Sequence, residues 1–582
     1  MLAAGVVSPI ATAILVAVTL LCALPVYLQV SGRSHAGMGS IAMLENLLPG
    51  WWGKLMVLVL LGFATTDFVI TMTLSASDAA MHATENPYLH PFLHHANMRV
   101  TLILLALLAA VFLKGFSEAI RLATAVCVPY LLLNVVVLGR ALAEVISHPA
   151  VLAHWNDALH ARGDWKQLAL AAAVLFPRLA LGLSGFETGV TVMPLIRGTA
   201  ADATADRPLG RIRNARKMLA TAAIIMSVLL LVSSFVSVLL LPKEAYQEGG
   251  PASGRVIAFM AHAYLGNVFG SVYDVSTILV LWFAGASAMA GLLHLVPRYL
   301  PRIGLAPEWV AYARPLVLLL FGFNVLITVI FRASVEAQGG AYATGVLVLM
   351  LSAAVAAAIS LWRERRRSLA VYCWGVVLVF GYTAAANVVE RTDGIIIAGC
   401  FILFILTVSG VSRYWRAREL RVGGHRFADA ESERLWNIIA AERVSLVPIG
   451  SLDAGVRECR TAKLSKYYHV DAVLAFVRVI LLDNRSEFLS PLEISVRLAD
   501  GQYLVEASQA VAVANAVAYI SQLLHPAAIY VGLSRQNLMH QSFRYFLLGE
   551  GETGLMVYTI LLHLWEATPE DDERPCIFLM SD

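Results

Sequence analysis

The stretch "GLSGFETGVTVMP", residues 182–194, lies inside an apolar run that begins near Gln167. A segment suited to lipid has no ordinary use for three glycines, a closing proline and the carboxylate of Glu187, with Arg178 one or two turns before it. Glycines at 182, 185 and 189 permit unwinding. Backbone that leaves the helix at membrane depth is tolerated only where it is buried in protein or lines a wet cavity. The pattern therefore predicts a broken helix at a binding site, its freed amides and carbonyls turned toward a charged or zwitterionic solute. Close helix packing through small residues is the plainer alternative. Glu187 tells against it, because an ionisable residue inside a span is costly and usually functional.

The surroundings of this stretch are those of a membrane protein. The 582 residues are 59% hydrophobic and only 14% charged, and the mean hydropathy of +0.71 lies far above that of soluble domains. Cys22, Cys127, Cys373, Cys400, Cys459 and Cys576 are scattered without metal-ligand spacing. Runs long enough to cross a bilayer predict eleven spans, at 7–30, 51–80, 98–114, 117–146, 167–194, 217–241, 268–296, 313–331, 338–362, 369–388 and 393–412. Alternate loops carry Arg33; Lys114 and Arg121; Arg197, Arg207, Arg211, Arg213, Arg216 and Lys217; Arg298, Arg302 and Arg314; and Arg363, Arg365, Arg366 and Arg367. Basic loops stay cytoplasmic, so these loops are expected inside. The intervening loops, with only Arg99, Arg162, Lys166, Lys243, Arg255, Arg332 and Arg391, are expected outside. Arg413, Arg416, Arg418 and Arg421 open the tail and place the C-terminus in the cytoplasm. An odd number of spans then puts Met1 outside, although "MLAAGVVSP" has no basic region ahead of its apolar run.

A second polar intrusion is "LLGFATTDFVITMTLSASDAA", residues 60–80, with Asp67 near mid-depth beside Thr65 and Thr66. Asp78 follows three turns later and shares its helix face. Asp67 is the better site candidate; Asp78, nearer the outer end, reads equally well as a solvated or capping residue. Arg178 could pair with Asp78 or Glu187 or snorkel to the surface. Asn134, Asn324 and Ser287 read as single interhelical hydrogen-bonding residues. "HATENPYLHPFLHH", residues 82–95, holds His82, His90, His94 and His95 at a spacing that matches no closed metal site, so a solvated outer loop is expected.

These motifs together resemble the amino acid, polyamine and organocation (APC) permease superfamily. "LGLSGFETGV" (181–190) is similar to the superfamily's sixth helix, where a break lies beside the substrate. "LKGFSEAIRLAT" (113–124) resembles its cytoplasmic link between helices four and five. "GMGSIAMLENLLP" (37–49) resembles its glycine-rich inner loop after helix two, with Ile41 where an aromatic is usual. "DFVITMTLSASDA" (67–79) resembles the third helix of the potassium-uptake branches, with Phe68 where those branches carry an oxygen-bearing tyrosine. The resemblance covers about residues 7–412. It implies an all-α inverted-repeat bundle of twelve spans, of which the eleven here would be the second to the twelfth. The absent first helix is normally the other discontinuous one, so Met1 is expected to be a truncated start, and a chain truly beginning there is expected to transport little. The break and its neighbour give the expected substrate site, Ser184, Gly185, Phe186, Glu187, Gly189, Asp67 and Phe68, with Asp67, Glu187 and Arg178 as coupling residues.

After residue 412 hydropathy drops, and 413–582 reads as a separate cytoplasmic α/β domain beside the permease domain 1–412. Helices are expected at 427–442, 508–524 and 552–566, and strands at 444–449, 472–482, 528–533 and "CIFLM" (576–580). "LEISVRLADGQYLVEAS" (492–508) reads as a hairpin about its Asp-Gly turn. "GEGETG" (549–554) reads as a helix-entry turn, though an anion could bind there. By analogy with sensing tails in the potassium-uptake branches, a small-ligand regulator is an expected partner.

The leading expectation is a proton-coupled secondary transporter of an amino acid or similar small organic solute in the plasma membrane. Its partners would be that solute, a coupling proton or cation and the lipid bilayer, without cofactor, metal or nucleic acid. Potassium uptake on the same fold is the first alternative, and a non-transporting membrane sensor or scaffold the second. No nucleophile, base and orienter occur together in a soluble stretch, so an enzyme is not expected.

Overall fold

The computed structural model describes residues 5–34, 39–48, 51–115, 119–177, 179, 185–191, 193–199, 202, 207–247, 249–299, 312–418, 420, 422–470, 473–481, 491–510, 512–533, 553–566 and 574–581. Two compact units divide the chain: Met1–Leu48, Leu55–Pro297 and Ala311–Phe404 form the first, and the second is chiefly Ile405–Asp582.

The apolar runs become helices α1 (Gly5–Arg33), α3 (Trp51–Thr84), α4 (Asn97–Lys114), α5 (Ala119–Ser147), α8 (Leu209–Leu240), α9 (Val256–Tyr299), α10 (Ala313–Ile330), α11 (Val335–Arg363), α12 (Arg367–Glu390) and α13 (Asp393–Arg418), all but the last lying wholly or mostly in the first unit, which α13 leaves after Phe404. Among the described residues ten helices are long and apolar enough to cross a membrane, which makes this a multi-pass membrane protein. The eleventh expected span, 167–194, is not one helix. Its described helical parts are α6 (Trp165–Leu175) and the short α7 (Phe186–Thr191), while Arg178 and Ser184 lie outside the described residues. A short helix α2 (Gly39–Leu47) follows α1.

Composition does not distinguish the roles of these helices, but burial does. The apolar windows of α3 and α11 are 78% and 72% buried, whereas those of α4 and α5 are each 22% buried and turn large apolar side chains outward. Small residues bring the two central helices together. A Cβ on Gly345 of α11 would stand 3.2 Å from the Asp67 amide nitrogen and the Phe63 carbonyl of α3, a contact tighter than ordinary van der Waals packing, so glycine suits that approach of backbones. Helix α1 carries a π-type turn at Thr19–Ala23, just ahead of Pro25. Proline has no N–H to offer the Leu21 carbonyl, and the Tyr372 hydroxyl of α12 donates to that carbonyl instead. At the far end of α1, Arg33 donates from Nε and Nη2 to the two carboxylate oxygens of Glu364 at 2.8 and 2.7 Å, which holds that carboxyl below the usual range.

The loop expected to be solvated is in part buried, at His82 and at Asn86. His82 is 5% exposed and bonded to Asp274 of α9, because α3 continues as helix to Thr84 and carries His82 inward; His94 and His95 are exposed, as expected.

The tail's sheet contains β1 (His425–Phe427), β2 (Ser445–Pro448), β3 (Leu474–Leu481), β4 (Leu492–Ala499), β5 (Gln502–Ala510), β6 (Ala528–Leu533) and β7 (Cys576–Ser581), in the order β1-β4-β5-β3-β2-β6-β7. Only β4 and β5 are antiparallel, turning through Asp500 and Gly501, both at positive φ, as a two-residue hairpin needs. Helices α14 (Ala430–Ala441), α15 (Ala454–Tyr468), α16 (Val513–Leu524) and α17 (Thr553–Glu566) complete this unit. The helix expected from 508 begins only at Val513, since β5 runs on to Ala510 to pair with β3. β1 and α15 were not expected. Helix α15 has almost no apolar stripe, burying only Arg457 and Leu464, and is pinned by Arg457 to the Leu452 carbonyl, Gln502 and Asp500.

Replacing Gly345 by Leu is expected to overpack the α3–α11 contact and destabilise the protein by about 1–3 kcal/mol, read as a lower melting midpoint in fluorescence-detected gel filtration. A second outcome concerns the tail. Asp429 caps α14 by accepting from Ser432 N at 2.7 Å, and that amide holds its carboxyl below the ordinary range. The protection Asp429 gives is therefore complete at neutral pH and fades as the pH falls from about 4 through the lower native value. Asp429→Ala should accelerate amide exchange across Ala430–Ala441, with the gap from wild type closing in acid.

Candidate functional site

The site is built around the start of α7. Gly185 has φ +94°, a conformation that glycine adopts without strain, and a Cβ there would meet open space, so the demand is conformational rather than steric. That residue turns the chain into Phe186–Thr191, where Phe186 stacks on Tyr27 of α1 with ring centroids 5.3 Å apart. Glu187 is thereby carried inward and is only 8% exposed.

One oxygen of Glu187 is well held. Oε1 accepts from the backbone N–H and the hydroxyl of Ser40, each at 3.1 Å, at the N-terminal end of α2. The partial positive charge of that helix end favours a carboxylate. Gly39 stands at φ +60°, and a Cβ on it would overlap Glu187 Oε1, so this glycine serves both the turn and the close approach. Ser352 of α11 extends the contact, its Oγ lying 3.0 Å from Ser40 Oγ and 2.7 Å from the Leu349 carbonyl. Glu187 of α7 thus bonds Ser40 of α2, which in turn bonds Ser352 of α11.

The other oxygen faces a different situation. Tyr27, Asp67, Phe186, Glu187, Val346 and Met350 are among the residues that line a cavity of about 10 Å³ open to the centre of a water-sized sphere, room for a single water molecule. Three of its four polar residues, Thr188 being the fourth, each hold a buried atom without a hydrogen-bond partner among the described residues: Tyr27 Oη, Asp67 Oδ1 and Glu187 Oε2. A buried polar atom left unpaired costs about 1–3 kcal/mol, and two carboxylates at one cavity repel each other when both are ionised. A proton or a small cation in the cavity relieves both penalties.

Of the residues expected in the site, the structure brings Asp67, Gly185, Phe186 and Glu187 to this cavity. Phe68 and Gly189 do not line it. Phe68 is 1% exposed and packs on Gly291 of α9, and Gly189 gives room to the Leu219 side chain of α8. Tyr27, Ser40 and Ser352 belong to the site without having been singled out from the sequence. A hydroxyl within a span carries no charge signal, and only the spacing of Gly39 and Ser40 at the head of a short helix hinted at an anion-holding turn. Among the described residues no group of His, Cys, Asp and Glu is arranged to hold a metal ion.

No family model and no curated protein matches the chain. The likeness of its helix-break motifs to a permease superfamily rests on those residues themselves, and the chemistry of the cavity has to be read from its own side chains.

Gln in place of Glu187 keeps an acceptor for Ser40 and removes a buried charge, so Glu187→Gln is expected to melt no lower than wild type. Gly39→Val, which combines a β-branched residue at positive φ with overlap on the carboxylate, is expected to cost about 1–3 kcal/mol. Melting midpoints of the two purified variants test both statements.

Proposed function

We propose that the chain is a secondary active transporter of a small solute, coupled to protons through Glu187 and Asp67. The observation that carries this reading is the pair of buried carboxylates, each with an oxygen that has no hydrogen-bond partner among the described residues, at one small cavity beside the break before α7. Ionisable groups buried in a membrane bundle and a helix interrupted at the same place are the features that solute and proton pathways need. The solute of first choice is an amino acid or similar small organic molecule. Its ammonium group would meet Asp67, and the freed backbone at Gly185 would meet its other end. The cavity is far smaller than an amino acid, so on this reading the described conformation is a closed one, and opening would separate α7 from α2 and α11.

Cavity size favours a second reading on the same fold, potassium uptake, since space for one water lined by oxygen atoms also suits a bare monovalent cation. Both readings place the coupling proton on the Glu187–Asp67 pair. The order of motifs resembling the APC superfamily supports this general class, and the tail after residue 405 is then a cytoplasmic α/β attachment open to regulation by a small ligand.

Uptake into liposomes holding the full-length protein distinguishes the readings. With an inside-alkaline gradient, labelled amino acids are expected to accumulate and Glu187→Gln to abolish the dependence on the gradient. Rubidium accumulation that Asp67→Asn removes would select the cation reading. Uptake of neither, with the protein folded, would overturn transport and leave the membrane-sensor alternative.

A further inference from the structure

A second ionisable cluster lies at the opposite end of α3 from α2. Asp274 of α9 is 1% exposed and accepts from three side chains: Oδ1 bonds His82 Nδ1 at 2.8 Å, and Oδ2 bonds His262 Nε2 at 2.9 Å and Asn86 Nδ2 at 2.7 Å. His262 and Asp274 are twelve residues apart, about 18 Å along a continuous helix, yet they touch. The reason is Gly266, at φ +84°, which breaks α9 so that the segment before it lies against the segment after it. Gly270 completes the arrangement, because a Cβ there would overlap the His262 ring.

The remaining groups around the cluster come from each neighbouring element. Arg255, ahead of α9, lies 3.6 Å from Glu85 and within electrostatic reach of Asp274. From α5, Asn134 accepts from the Tyr273 hydroxyl at 3.1 Å, and Tyr130 lies within electrostatic reach of Asp78. Asp78, one turn before His82 on α3, is within electrostatic reach of that histidine and has a buried Oδ1 without a hydrogen-bond partner among the described residues.

Three features separate this cluster from a fixed pin between helices. A permanent pin would use Arg or Lys, whose charge is constant, whereas histidine is the side chain whose charge changes near neutral pH. His262 has oxygen atoms at both ring nitrogens, Asp274 Oδ2 at 2.9 Å and Asn267 Oδ1 at 3.4 Å, the arrangement that an imidazolium with two N–H donors satisfies. Both imidazoles face the carboxylate, and among the described residues no third ligand joins them as a metal site needs, so the ligand that fits the geometry is a proton. Beyond the cluster, Asp78, Ser75, Thr71 and Asp67 follow His82 down α3 at spacings of three or four residues, so the five share one face of the helix over about 22 Å.

We infer that His82, Asp274 and His262 form a proton-binding site at the end of α3 that the basic-loop asymmetry places outside, and that the polar face of α3 hands its proton to Asp67. The inference rests on the coupled-transport reading and deepens it. A proton from the outer solution binds a histidine nitrogen and makes an imidazolium beside Asp274. It then passes to the Asp78 carboxylate, leaving neutral imidazole and a carboxylic acid, and moves by way of Ser75, Thr71 and intervening water to the Asp67 carboxylate, regenerating Asp78. Each step along the helix is about 4.5–6 Å, a gap that bridging water can cross.

Two measurements on the full-length protein test this. In nanodiscs, ¹⁵N-histidine spectra recorded from about pH 5 to 8, where histidine as a class changes charge, are expected to show a proton bound at His82 or His262 in acid and released in base, with the His82 response altered by Asp78→Asn and unchanged by the distant Asp67→Asn. Histidines that hold one protonation state across that range overturn the site. In liposomes loaded with a pH dye, with a mixture of the common amino acids or rubidium chloride outside, acidification is expected for wild type and lost for Asp78→Asn and His82→Gln. Asp78→Asn and His82→Gln variants as fast as wild type, while Glu187→Gln is silent, overturn the relay but leave coupled transport standing. A wild type that moves no protons overturns the relay together with that transport reading, and the histidine titration still decides the site.

Discussion

The carboxylate of Glu187 on the amide and hydroxyl of Ser40 is the contact around which the membrane unit closes. An anion is brought into apolar surroundings only where donors replace its water, and here the donors come from the head of α2, whose partial charge adds to the hydrogen bonds. Gly39 leaves the space for it, Gly185 turns the chain so that the side chain can enter, and Ser352 links the group to α11. Because Ser352 bonds Ser40 and not Glu187, loss of the Glu187–Ser40 contact would part α7 from α2 while α2 stays tied to α11. The other Glu187 oxygen faces a small cavity with Asp67 and Tyr27, so the residue that closes the bundle also carries the unsatisfied charge that a transported ion or proton would neutralise.

Helix α3 joins this centre to the far end of the unit. It is the most buried of the spanning helices, and five of its polar residues lie along one face, with Asp67 at the cavity and His82 at the Asp274 cluster. Such a stripe would be ordinary on a surface helix. Inside a bundle each polar atom must be paired or wetted, so the alignment of five polar residues on a helix this deeply buried is a strong constraint on what surrounds it.

Much of the centre was legible in the sequence because charge within an apolar run is conspicuous. Asp67, Glu187 and the glycines about residue 185 stood out for that reason, and four of the expected residues meet at the cavity. Asp274 obeys the same rule, lying in "SVYDVSTILVLWF" (271–283), and could have been found by it. Its partners could not. His82 falls in a histidine-rich loop whose His94 and His95 are exposed, and His262 reaches Asp274 only because Gly266 folds the chain back. Tyr27, Ser40 and Ser352 are uncharged, so nothing in their local sequence separates them from other hydroxyl residues of the spans.

By itself the sequence determined the class of the molecule: apolar runs of membrane length, a break where glycines and a carboxylate interrupt one of them, and a tail whose alternating and helical periods read as α/β. These are local properties, set by hydropathy, periodicity and the conformational freedom of glycine over a few turns. The tertiary structure alone decided which of several similarly apolar helices are central, which carboxylates share a cavity, and that an arginine-bearing helix without an apolar stripe belongs to the tail's fold. Those outcomes depend on contacts between residues far apart in the chain, such as Gly345 against Asp67 or His262 against Asp274. A one-dimensional pattern shows that a residue needs a partner, but only packing decides which partner it meets.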